Sequence, residues 1–130
     1  MNEIQQLPPA VLERARVAAA AFLSDIIGVT AVVIATMDGF DLVSSIRGND
    51  DAARIAAMGS SISALSNVVA TEAGLGEHKS VTIDTASGFA VVYAVYRENY
   101  PLVINVVADS NAILAQVIHR AAGVAKNLME

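Results

Sequence analysis

The chain has 130 residues, enough for one domain with a substantial buried core. A formal net charge of −5 with dispersed basic residues argues against a nucleic-acid partner, and the absence of cysteine excludes disulfides, thiolate zinc sites and cysteine nucleophiles. Only 16% of residues are charged, where about 25% is usual, so part of the surface is expected to lie against a partner.

Met1-Asn2-Glu3-Ile4-Gln5-Gln6 lacks the basic and then apolar pattern of a signal peptide. The uncharged runs are too short, or too rich in Ser and Gly, to cross a bilayer. These features predict a soluble cytoplasmic protein with a flexible tail at 1–9 and one domain at 10–130. Pro8-Pro9 suits the opening of a helix from about Ala10. Its apolar stripe is Leu12, Ala15, Ala19, Phe22, Leu23, Ile26 and Ile27, and Gly28 ends it.

Thr30–Met37 is β-branched and apolar on both alternating faces, the pattern of a central strand covered on both sides. Asp38-Gly39 predicts a tight hairpin turn. The return strand, Phe40–Ile46, places Phe40, Leu42 and Ile46 on one face. Asn49 or Asp50 then caps a second helix that runs to about Ala73, where Gly74 and Gly76 stop it. Three short strands follow at Ser80–Asp84, Phe89–Tyr96 and Leu102–Ala108. Asp109 or Ser110 caps the last helix, whose apolar face is Ile113, Leu114, Val117, Ile118, Ala121, Val124, Ala125 and Leu128.

The order α-β-β-α-β-β-β-α predicts a mixed α/β fold: one five-stranded antiparallel sheet with helices on both faces. Two helices cover one face and the third covers the other alone. Five strands span about 24 Å, whereas a helix is only about 10–12 Å across. A second copy of the chain is the economical cover for the remainder.

The middle helix carries the main functional signal. Between Arg54 and Glu72 lie 17 residues without a charge. Ile55, Met58, Ile62, Leu65 and Val69 step by three and four, and are expected to lie on the sheet. The far side, Ala57, Ser60, Ala64, Asn67 and Thr71, is small and neutral where a solvated face would carry Lys, Glu and Arg. It is read as an interface, with a merely polar, Ser-rich surface as the alternative. The strand Ser80–Asp84 turns Val81 and Ile83 inward and Ser80, Thr82 and Asp84 outward. At a sheet edge it could pair with its own copy, unless Lys79 and Asp84 protect it.

Catalytic patterns are missing. There is no GxxxxGK[ST] loop and no Gly-x-Ser-x-Gly elbow. Gly74-Leu75-Gly76 runs into Glu77-His78-Lys79 and reads as a helix end. His119 falls opposite the apolar stripe of the last helix and reads as a surface residue. His78 reads as a loop residue with no second ligand at metal spacing. Asp38 and Asp41 read as turn chemistry. Arg47, Arg54 and Arg97 are isolated arginines to which position assigns no role.

Together, Val29–Ile46, the small-residue helix Ile55–Thr71, the strand Phe89–Tyr96 and the helix Asn111–Leu128 resemble the roadblock/dynein light chain domain family. The likeness is greatest to its stand-alone bacterial and archaeal members, similar to the gliding-motility MglB proteins. The resemblance implies a profilin-like fold and a homodimer, with middle helices packed near a two-fold axis and sheets joined into ten strands. It also implies a non-enzymatic role, without cofactor, in binding and regulating a small Ras-like GTPase or scaffolding a larger complex. Ala57, Ser60, Ala64, Asn67 and Thr71 fall where such domains contact mate or partner, and Ser80, Thr82 and Asp84 on the joining strand. A small-molecule sensor is the alternative.

Overall fold

Pro9 stands at the first position of α1, Pro9–Asp25, where its missing N–H costs nothing. The computed structural model describes residues 7–129, and the elements that follow are β1 Val29–Thr36, β2 Asp41–Ile46, α2 Ala52–Glu72, β3 Ser80–Thr85, β4 Gly88–Val95, β5 Leu102–Asp109 and α3 Leu114–Leu128. The predicted order and the single five-stranded antiparallel sheet are both present.

Across the sheet the strands run β2-β1-β5-β4-β3. The chain-adjacent strands β2 and β3 are therefore opposite edges. At 1.5 Å per residue α2 is about 31 Å long, against about 19 Å between the outermost strands of such a sheet. One unbroken helix thus carries the chain from edge to edge.

On one face α1 and α3 enclose the main core, built around Phe22, Ile34, Leu102, Ile104, Val106 and Leu128. On the other, α2 is the one helix among the described residues, lying over Val33 and Ala35 with Ala56 fully buried between. The two-plus-one division of helices is as predicted. Most of the tail assigned to 1–9 lies outside the described residues, but Leu7 is buried and belongs to the main core.

Several local expectations are corrected. Asp51, not Asn49 or Asp50, caps α2, its carboxylate accepting from the Ala53 and Arg54 amides at 3.0 and 3.3 Å. Neither Asp109 nor Ser110 caps α3, which begins at Leu114. Asp109 Oδ1 instead accepts from the Asn111 amide at 2.8 Å, closing an Asx turn one step earlier. Ile27 and Ile113 are exposed, since each falls just outside its helix. Phe40, Leu42 and Ile46 do not share a face. The β1–β2 register shifts at Ile34/Ala35, so Leu42 packs with the main core while Ile46 packs beneath α2.

Candidate interaction surface

α2 sits on the sheet turned away from the orientation its pattern predicts. Ala56, Gly59, Ser63 and Ala70 are its buried residues. Met58, Leu65 and Val69, expected on the sheet, are 52%, 68% and 65% exposed. At 100° per residue the helix is turned by about 100° from the amphipathic expectation. The cause lies beneath it. Asn105 is buried in β5, its Nδ2 donating to the Val33 carbonyl at 3.1 Å, and Gly59 stands directly over it. A Cβ at position 59 would lie 1.8 Å from Asn105 Oδ1. Small residues are what allow α2 this close to the sheet, and the large ones are pushed to its side.

That side overhangs an apolar groove of about 160 Å³, where Met58 and Ile62 of α2 face Ile83 of β3 and Ala90 and Val92 of β4. β3 forms the border. It pairs with β4 through Ser80↔Tyr93, Thr82↔Val91 and Asp84↔Phe89, and among the described residues no strand lies beyond it. Thr82, Ile83 and Asp84 are exposed and Ser80 is half-buried. A free strand edge and an uncharged, solvent-facing helix flank therefore lie side by side.

The small neutral seam lies on the opposite flank of α2. Ala57, Ala64, Asn67 and Thr71 are exposed and Ser60 is half-buried. Part of its smallness serves the chain itself. The β1–β2 turn rests on it at Gly39, which has φ of 96°, and a Cβ there would be 2.9 Å from Ser60 Oγ and 3.4 Å from Ala57 Cα. Farther along, Ser60, Ala64 and Asn67 border an open cavity of about 260 Å³ with Met37, His78 and Tyr96.

His78 was not singled out by its sequence neighbourhood. Its Nε2 is 2.9 Å from Ser63 Oγ and its Nδ1 is 3.0 Å from Tyr96 Oη. Burial holds its pKa below the ordinary value, and the Glu77 carboxylate works against that more weakly. No local signal could have revealed the cluster, because Ser63 is 15 residues away and Tyr96 is 18. Arg47 also has a use: its guanidinium donates to the Leu23 and Val29 carbonyls at 2.8 and 3.2 Å, tying the end of α1 to β2. Arg97 donates to the Asn99 carbonyl at 2.9 Å. His119, Asp38 and Asp41 are exposed. Among the described residues, no three His, Asp or Glu side chains gather as metal ligands would. No described helix is long and apolar enough to cross a membrane.

This arrangement of sheet and helices has a family counterpart: the model of the Roadblock/LC7 domain matches residues 20–105. The chain belongs to the Roadblock/LC7 domain family. Solved structures of similar fold include a Roadblock/LC7 domain from Streptomyces avermitilis, at 18% identity and a TM-score of 0.78, covering 87% of this chain and 92% of that one. The gliding protein MglB from Thermus thermophilus superposes at 16% identity and a TM-score of 0.82, with 95% and 91% covered. An MglB with a tetrameric arrangement gives 17% and 0.83, with 95% and 90% covered. At these identities the likeness is one of fold. A search of curated proteins finds no match. Within this Roadblock/LC7 domain the matched segment contains all of α2, the β3 edge and the groove residues Met58, Ile62, Ile83, Ala90 and Val92.

Proposed function

We propose that this Roadblock/LC7 protein is a non-catalytic homodimeric adaptor or regulator of a small Ras-like GTPase, working in the cytoplasm. The observation that carries the proposal is the uncharged, exposed flank of α2 beside the free β3 edge. Two copies related by a two-fold axis would bring β3 against β3 through Ser80, Thr82 and Asp84. The same axis would close the grooves, with Met58, Ile62, Leu65 and Val69 from both chains meeting above the joined sheet. Self-association also has a precedent of form in the tetrameric arrangement of one MglB.

In such a dimer the seam Ala57, Ser60, Ala64, Asn67 and Thr71 is left outside the junction. It supplies an uncharged strip for the GTPase, the depletion of charge being what interface centres show. The test is capture on immobilised protein from a lysate of the source organism, with a non-hydrolysable GTP analogue and with GDP. Retention of a small GTPase in one nucleotide state supports the proposal. If neither state retains one, the regulator role is wrong. The sensor alternative would use the cavity beside His78, and a bound small molecule in a native mass spectrum would favour it.

A further inference from the structure

α2 and β3, the two elements of the proposed junction, are joined by residues 73–79, and the end of this connection is pinned. Beyond its contacts with Ser63 and Tyr96, His78 accepts at its backbone carbonyl from Tyr96 Oη, at 2.8 Å. Tyr96 has one proton. With that proton on the carbonyl, Oη accepts from His78 Nδ1–H, and Nε2 is left as the acceptor for the Ser63 hydroxyl. The assignment satisfies every group and requires a neutral imidazole. One side chain thus bridges α2 to Tyr96, the residue after β4, two residues before β3 begins.

We propose that His78 is a proton-sensitive latch that fixes β3 against α2 and so sets the strength of self-association. The latch rests on the dimer proposed above. A proton at Nε2 turns an acceptor into a donor, so Ser63 must redirect its own proton. Among the described side chains, the other partner in its reach is the Met37 sulfur at 4.0 Å, a weak acceptor. The charged ring also loses hydration in its partly buried site, and burial accordingly holds its pKa below the ordinary value. Glu77, next in the connection, opposes this weakly. Of the side chains that α2, the β1–β2 turn and the β4–β5 connection bring to the adjoining cavity, only Tyr96 titrates. Burial and Glu77 raise its pKa, so it stays protonated near neutrality. Lys79, the other neighbour in sequence, is exposed.

The test is sedimentation velocity of the full chain over a concentration series at pH 7.5 and 5.5, for the natural protein and His78→Gln, with the histidines titrated by NMR. The dimer dissociation constant of the natural protein is expected to rise on the order of tenfold at the lower pH, and that of His78→Gln to change little. His78 is expected to titrate below the ordinary histidine value of about 6.5. Equal pH dependence in the two proteins, or a His78 pKa at or above the ordinary value of about 6.5, overturns the latch. If His78→Gln does not fold, Tyr96→Phe replaces it, with weakened association at pH 7.5 expected and an unchanged constant overturning the latch. Should the natural protein be monomeric under all conditions, the dimer proposal fails. The latch is then judged by amide exchange over residues 73–85, corrected for intrinsic rates. Protection lost at low pH only when His78 is present supports it, and protection independent of pH or of His78 overturns it.

Discussion

Gly59 and Asn105 decide how the two layers meet. Replacing Gly59 with alanine puts a carbon where Asn105 Oδ1 stands, and Asn105 is itself held by the Val33 carbonyl. The variant is expected to lose about 1–3 kcal/mol, as overpacked cores do, measured by urea denaturation. A second replacement, Asn105→Ala, is expected to recover part of that loss, so the two changes are non-additive in a double-mutant cycle. His78 makes a second prediction at this scale. Its folded pKa is lowered, so between that value and the ordinary one of about 6.5 the unfolded chain holds the extra proton. Its contribution to stability is complete above about pH 6.5 and is lost as the pH falls toward the folded pKa. Urea midpoints at pH 7.5, 6.5 and 5.5 are expected to fall, and to fall less in His78→Gln.

α2 shows how an element can satisfy its period and still be turned. Stepping by three and four marks both Ile55, Met58, Ile62, Leu65 and Val69 and the stripe Ala56, Gly59, Ser63 and Ala70 that is buried. Periodicity identifies the helix but does not choose between two apolar stripes, and burial of large side chains ordinarily decides the matter. Here a polar side chain at the centre of the sheet, Asn105, favours the small stripe. The consequence is testable. Leu65 is 68% exposed, so Leu65→Arg is expected to change the fold's stability by under about 0.5 kcal/mol while abolishing the proposed dimer. Light scattering after size exclusion measures the second effect and thermal melting the first. Ala56 is fully buried, and Ala56→Arg is expected not to fold.

For the whole molecule, the uncharged stretch of α2 gives part of the low charge content a location. Met58, Leu65 and Val69 on one flank of α2 and Ile83 in the groove beside β3 are exposed together, while α1 and α3 close the opposite face of the sheet. The proposal separates self-association from partner binding onto the two flanks of one helix. Ala64→Arg, on the seam flank, is expected to leave the dimer intact and reduce capture of the GTPase at least tenfold. Loss of the dimer in Ala64→Arg with its retention in Leu65→Arg would reverse the assignment of the flanks.

Element order, the antiparallel sheet and the two-plus-one placement of helices were all legible in the chain. They follow from local signals: β-branched runs, the Asp38-Gly39 turn, and glycines after the helices. The charge-free stretch from Ile55 to Thr71 likewise marked α2 as the element to watch. Three features were decided by tertiary structure alone. The strand order that makes β3 an edge depends on where α2 delivers the chain. The rotation of α2 depends on one buried amide in β5, and the anchoring of His78 depends on two side chains far away in sequence. Local patterning carries information about segments because backbone geometry is local. Which of two stripes is buried, and which side chains meet, is settled by packing between segments.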